Sequence, residues 1–372
     1  MKKKMMAAIL GAAMVMSLAA CGGSIGSAPA TTAAPATTAA PAPAAETKAE
    51  EKAEEKTEAA ASDVTGDTIN ISLFCGSIPE NTATGGALAK MADYINEHSN
   101  GTIVAEAFYD TALGDATSMV QGLQQGTIDI GISGTSYFAG LVPEIDVYQL
   151  PFIFGSVEEA RKATDASSDS TKALFGKIEE KGIVGLAFWE NGFRELTNNV
   201  RPVKVPDDLK GIKMRTLPAE TQVATWEAMG ALTTQIDAAE LYTALQQGTV
   251  QAQDNPLHEI VARKFYEIQP YVTLTDAVYT PFFMGMSKVT WDKMSDSQKQ
   301  LILDAAAYGR EEQLKLTDEA QANAKQILLD NGCEIEEEPD KAAFQERAKD
   351  SWKLFTDKYG TELVDMVQAE IK

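Results

Sequence analysis

Two arginines, an asparagine and two aromatic residues carry the chemistry that can be read from this chain. Arg215 ends the segment Gly211-Ile212-Lys213-Met214-Arg215 and stands directly before a turn containing Pro218. In open α/β sheets, ligands gather beyond the carboxyl ends of strands. A guanidinium in that place suits a bidentate grip on a carboxylate. Arg194 follows a segment ending in Trp189, through Glu190-Asn191-Gly192-Phe193, and is expected past a strand end too. Asn255, in Gln253-Asp254-Asn255-Pro256, would offer an amide to the same ligand, and Trp189 and Phe283 an apolar wall. Each has a plainer alternative. Either Arg also reads as a surface ion pair, Asn255 as turn chemistry, and the aromatics as core. Acid–base, nucleophilic and metal chemistry are poorly provided for. His98 and His258 are scattered, Cys75 and Cys333 sit at no ligand spacing, and no Ser/His/Asp order stands out. No catalytic residue, metal or cofactor is therefore expected.

The elements that must position these residues alternate between strand and helix. Leu123-Gln124-Gln125-Gly126-Thr127-Ile128-Asp129 returns as Leu245-Gln246-Gln247-Gly248-Thr249-Val250-Gln251. Each copy reads as a helix closed by a Gly, which accepts the left-handed C-terminal conformation, followed by a short β-branched strand. Two such units far apart in one chain predict two lobes of related build, with a ligand cleft between them. Strands are expected at 69–74, 103–108, 128–132, 183–189, 212–216 and 250–253, with extended segments at 272–274 and 279–287. Helices fall between them. The fold class is therefore α/β, each lobe a mostly parallel sheet flanked by helices. From Ser297 to Asp330 there is no Pro, and Gly309 is the only Gly. A helix there reaches about 50 Å, enough to span both lobes.

The N-terminus indicates where the chain works. Lys2, Lys3 and Lys4 precede an uncharged apolar run from Met5 to Ala20, then Leu18-Ala19-Ala20-Cys21 leads into Gly22-Gly23. A basic start, a short apolar stretch and small residues at a cut define a secretory signal. The Cys at the cut makes residues 1–21 resemble a bacterial lipoprotein signal, in which the Cys21 thiol carries the lipid. Residues 22–66 are Gly/Ser, then Ala/Pro/Thr, then Glu/Lys, and read as a tether with nothing to fill a core. Its reach is roughly 35–40 Å. Nearly all of the formal charge of −22 falls beyond the tether. That acidity argues against nucleic acid, whose binding needs clustered Lys and Arg.

Taken in order and spacing, a set of motifs resembles the solute-binding subunit of tripartite ATP-independent periplasmic (TRAP) transporters, the DctP-like family. The set is Asn191-Gly192-Phe193-Arg194, Asp208-Leu209-Lys210-Gly211-Ile212-Lys213-Met214-Arg215, Met229-Gly230-Ala231, Glu240 to Gly248 and Asp254-Asn255-Pro256. Ala112-Leu113-Gly114 and Leu150-Pro151-Phe152 match as well. The resemblance implies that Arg215 clamps a ligand carboxylate, that Arg194 and Asn255 assist, and that the chain crosses between lobes more than once. It implies an extracytoplasmic binding protein, lipid-anchored to the cell membrane, that delivers an organic acid to a TRAP permease driven by an ion gradient. Lobe I is expected at 67–192 plus 281–320, and lobe II at 193–280 plus 321–372. The chain departs from the pattern at Gln251-Ala252, at Ala238, where relatives often carry an aromatic ring, and at Gly134, where some acidic-sugar binders have Glu. These departures bear on the substrate rather than on Arg215. An ABC-type binding lipoprotein is the nearest alternative, and an extracytoplasmic enzyme a more distant one.

Overall fold

The computed structural model describes residues 64–372. The signal segment, Cys21 and residues 22–63 of the tether lie outside the described residues. Nine strands form one sheet: β1 (Ile69–Gly76), β2 (Ile103–Asp110), β3 (Ile130–Gly134), β4 (Ile183–Asn198), β5 (Lys213–Thr216), β6 (Leu232–Gln235), β7 (Ala252–Asn255), β8 (Tyr271–Ser287) and β9 (Glu334–Glu336). The order is β2-β1-β3-β8-β4-β7-β5-β6, with β9 paired to β8. Within each half the outer pairs are parallel: β1 with β2 and β3, β5 with β6 and β7. The centre is antiparallel, β3 to β8, β8 to β4 and β4 to β7. The order is palindromic, with β3 and β7 in equivalent places.

That symmetry is the repeated motif expressed in three dimensions. Gly126 and Gly248 both take the left-handed conformation, φ 76° and 70°. After each, the same backbone bond turns the chain into its strand, Thr127 N to Gly122 O at 3.0 Å and Thr249 N to Ala244 O at 2.9 Å. The strands start two residues later than their β-branched onset suggests.

Two long strands join the halves. β4 has 16 residues and β8 has 17. The sequence reads β4 only as far as Trp189, ending it before Glu190-Asn191-Gly192, and gives β8 as two extended segments, 272–274 and 279–287; the interruption at Glu190-Asn191-Gly192 is not a strand end. It is a bulge instead: the β4–β8 register shifts between Glu190 and Gly192, and Gly192 has φ 117°. A bulge bends a strand without ending it. The expected lobe boundaries, 192/193 and 280/281, meet at this point, where Gly192 lies opposite Thr280. The C-terminus differs from expectation. The helix Glu362–Glu370 returns to the first half, where Glu370 accepts from Ser170 N at 2.9 Å and Ser170 Oγ at 2.7 Å.

Both faces of the first half are covered, so side chains of either parity are buried. Phe74, Phe188 and Phe283 enter one apolar cluster, while Leu73, Trp189 and Phe282 enter the cluster on the other face. The long helix runs Asp296–Asp330, about 52 Å at 1.5 Å per residue. A reciprocal box of Ser295 and Gln298 caps its start. It buries Ile302 and Ala305 in the first half and Ala324 and Leu328 in the second. Gly309 is needed at its middle, because a Cβ there would stand 2.6 Å from Trp189 Cζ2. One turn on, buried Gln313 accepts from Glu190 N at 3.0 Å and donates to Glu190 O, holding β4 at its bulge. Cys75 and Cys333 are both buried free thiols.

Candidate functional site

Arg215 is the third residue of β5 and is 1% exposed. Its Nε donates to Ile236 O at 2.8 Å, and its Nη2 has no partner among the described residues. Among the described residues no carboxylate forms an ion pair with it. Burial is the main influence on its charge and lowers its pKa. Arg194 and Arg263 nearby add to this, while Tyr137 and Asp254 oppose it. A guanidinium with one arm held by a carbonyl and another arm free, out of water, is built to receive an anion.

Arg194 occupies a different situation from the one its sequence suggests. It lies inside β4, opposite Val278, and not beyond a strand end. Its Nε and Nη2 reach the Asp254 carboxylate at 3.0 and 3.2 Å, and Nη2 also donates to the Asp254 carbonyl. The pair is 1% and 0% exposed at its side chains. Arg194 therefore brings its charge already neutralised. Asn255, at the end of β7, donates through Nδ2 to Gln253 Oε1 and borders the same cavity as both arginines.

Trp189 and Phe283 do not form the expected wall. Trp189 stands opposite Phe282, and Phe188 opposite Phe283, so the two named rings lie on opposite faces of the sheet. Trp189 packs beneath Gly309, and Phe283 meets Phe138 edge-on with ring centres 4.7 Å apart. Phe282, with Phe265 and Tyr137, is on the cavity, and Trp189 and Phe283 are not.

The cavity has a volume of about 30 Å³, room for two or three waters. It joins the two halves of the sheet. From the first half come Ser77, Ser133, Gly134 and Tyr137, and from the second Arg215, Ala238, Glu259 and Arg263. Hydrogen bonds cross its rim. Ser77 Oγ donates to Asp237 Oδ1 at 2.7 Å, Arg263 Nη2 to Ser77 O at 3.0 Å, and Ala238 N to the Tyr137 hydroxyl at 2.9 Å. Burial pushes the Tyr137 phenol up to about 12, against the pull of Arg215, so it stays a neutral hydroxyl with a proton to donate. Gly134 has space for a side chain, the nearest atom to a built Cβ being 3.8 Å away.

Several of these residues were not singled out in the sequence, yet some left signals. Shifting Asn255 back by the repeat interval lands on Ser133, which lines the same cavity. Glu259 and Arg263 stand at i,i+4 spacing and form the pair expected of it, Nε to Oε2 at 2.7 Å. Tyr137 had no comparable signal. A larger hollow of about 560 Å³ opens elsewhere, between Pro143, Pro218 and Tyr359. Volume alone would favour it, but its cation, Lys358, is paired with Glu220 at 2.6 Å. The smaller cavity has the chemistry.

Comparison with known proteins gives one answer. The family model described as "DctP: Bacterial extracellular solute-binding protein, family 7" matches residues 74–358. The 2,3-diketo-L-gulonate-binding periplasmic protein YiaO of Escherichia coli K12 is 34% identical over 261 residues, 70% of this chain and 79% of its own. Among solved structures, the sugar acid binding protein DctPAm of Advenella mimigardefordensis, in complex with galactonate, superposes with a TM-score of 0.79 at 31% identity. The match covers 82% of this chain and 99% of that one. A TRAP periplasmic solute-binding protein of Sulfurospirillum deleyianum with bound succinate gives a TM-score of 0.74 at 28% identity, covering 83% and 100%.

Proposed function

This chain belongs to the DctP family, family 7 of the bacterial extracellular solute-binding proteins, and on that premise we propose that Arg215 is the carboxylate anchor of its inter-lobe cavity. It is an extracytoplasmic solute-binding protein of the TRAP type, and its relatives bind organic acids: a diketogulonate, galactonate and succinate. The observation that carries the Arg215 assignment is its free Nη2 on a guanidinium 1% exposed. Arg194 and Asn255 shape the receptor around it. Arg194 does so through Asp254, which it holds beside Asn255 on β7.

The division of labour follows from the sheet. The first half offers hydroxyls, Ser77, Ser133 and Tyr137, and the second half offers the cation. A ligand touching both completes the rim contacts, so capture and lobe closure are one event around the bulge at Gly192. The closed shape is then what a membrane permease of the TRAP type receives, with transport drawing on an ion gradient. The sequence around Cys21 supports lipid anchoring to the outer face of the cell membrane, the tether giving the head its reach. Cys21→Ala should move the protein from the membrane fraction to the soluble fraction, and unchanged retention would remove the anchor from the scheme.

The test of the binding role is a thermal-shift screen over carboxylic acids with the purified head. A ligand that binds only the native chain raises stability by about 2.7 kcal/mol at a hundredfold excess over Kd. The shift should appear with acids and vanish with their amides. Equal shifts for an acid and its amide would show that no carboxylate is being read.

A further inference from the structure

Three buried polar atoms on the cavity wall have no partner among the described residues, and they are not of one kind. Arg215 Nη2 is a donor, whereas Asn191 Oδ1 and Glu259 Oε1 are acceptors. Their residues are 1%, 3% and 2% exposed. Buried polar groups left unpaired are costly, so a ligand that answers all three is favoured over one that answers only the cation.

Of the three arginines lining the cavity, two are paired and one is not. Arg194 is paired with Asp254, and Arg263 with Glu259. Arg215 remains, so the cavity neutralises a single carboxylate. A second carboxylate would find no cation. It would face Glu259, and at the rim Asp237, whose Oδ2 is also unpartnered. Burial pushes the Glu259 carboxyl up, but Arg263, His258 and Arg194 outweigh it and hold it below its ordinary value. Glu259 is therefore an anion that only accepts. His258 does not satisfy it. That ring lies 2.8 Å through Nε2 from Asn191 O, and its Nδ1 is 3.9 Å from Glu259 Oε1, beyond hydrogen-bond distance. What the two free acceptors need are hydroxyl protons.

Resting on the reading of this cavity as a carboxylate site, we infer that its ligand is a short polyhydroxylated monocarboxylate. Arg215 holds the carboxylate, Asn191 and Glu259 accept from the hydroxyls, and Glu259 is the residue that turns dicarboxylates away. The small volume, about 30 Å³, favours a short acid over a long one, and the lobes must part to admit it.

Four acids on one four-carbon skeleton test this: threonate, its epimer erythronate, butanoate and succinate. Calorimetric titration of the wild-type head should give one of the trihydroxy acids at least about 100-fold tighter binding than succinate, because like charges facing each other in a closed site are strongly disfavoured. Butanoate should be at least about tenfold weaker than the trihydroxy acid, having nothing to give the two acceptors. Glu259→Gln should then improve succinate at least about tenfold, since Arg263 is freed and the repelling charge is gone, while the trihydroxy acid weakens. A purely structural Glu259 would not produce that gain. Succinate or butanoate binding as tightly as the better trihydroxy acid overturns the inference and leaves the carboxylate reading standing. So does a folded Glu259→Gln variant with unchanged succinate affinity. Absence of binding by all four acids overturns both. If Glu259→Gln does not fold, the wild-type ranking decides alone.

Discussion

Arg215 is a charge that the folded chain cannot satisfy by itself, and replacing it should move affinity and stability in opposite directions. In Arg215→Met the buried volume is largely kept, but the ligand carboxylate loses its only free cation. Breaking a buried charge pair by removing one partner costs about 3–5 kcal/mol, or roughly two to four decades in affinity. Without ligand the sign reverses. A guanidinium 1% exposed, with one arm on Ile236 O at 2.8 Å and no carboxylate, carries a desolvation penalty that Met does not. Against this stands the unpaired Ile236 carbonyl, worth about 1–3 kcal/mol. With a penalty of several kcal/mol for the ion, the ligand-free variant should melt a few degrees higher than wild type. Arg215→Lys should recover only part of the binding, since one ammonium cannot reproduce the planar fork. The assay is calorimetric titration with the best acid from the screen, paired with thermal melts of the free proteins. If Arg215→Met binds within about threefold of wild type, the anchor assignment is wrong. If it also melts lower, the cation is a structural part of the lobe.

Other changes separate the roles of neighbouring groups. Asp254→Ala leaves Arg194 buried and uncompensated, so it should cost about 3–5 kcal/mol of stability, read as a lower urea midpoint with and without ligand; a loss of affinity at unchanged stability would move Arg194 onto the ligand. Tyr137→Phe removes the acceptor for Ala238 N across the rim, which should weaken binding by up to about tenfold and raise the radius of gyration in small-angle scattering. Unchanged affinity and scattering would show that this bond does not hold the cleft. Asp146 is pushed up to about 7, by burial first, with the Thr221 hydroxyl opposing. The native chain thus keeps a proton that the unfolded chain releases near pH 4, so stability is full below about pH 4 and is lost as pH rises through 7, by up to about 4 kcal/mol. Asp146→Asn, which keeps the bonds to Gln149 and Thr221, should flatten melting temperature across that window, and an unchanged slope would place its origin elsewhere.

The fold was legible where local chemistry and periodicity agreed. The two Gly-closed helices, the strand entering Arg215 and the long Pro-free helix are all where the residues imply. β6 was missed because Leu232-Thr-Thr-Gln is a short edge strand whose Leu232 is 57% exposed, so no apolar pattern marks it. β4 was ended early and β8 cut in two because polar residues interrupt the apolar pattern of each, at Glu190-Asn191 and at Thr275-Asp276. Phe283 was chosen over Phe282 because a strand buried on both faces loses the alternation that tells its faces apart. Register, which only the paired strand supplies, decides between neighbours.

The same reasoning explains why the arginines divided as they did. Arg215 was assigned from its place at the end of a parallel strand together with the family resemblance, and neither depends on what lies across from it. Arg194 depended on a partner 60 residues away in sequence, Asp254, which reads locally as the start of a turn. A pair of that kind is invisible until β4 and β7 are laid side by side with Leu196 opposite Asp254. Pairing then sorts structure from function. Arg194 and Arg263 each have a carboxylate and contribute to the walls. Among the described residues, Arg215, Asn191 and Glu259 each keep one atom unanswered on the wall of the cavity between the half-sheets. A sequence under selection for folding alone would have filled or paired those atoms. Their survival at the meeting point of two half-sheets is what a site completed by its ligand requires.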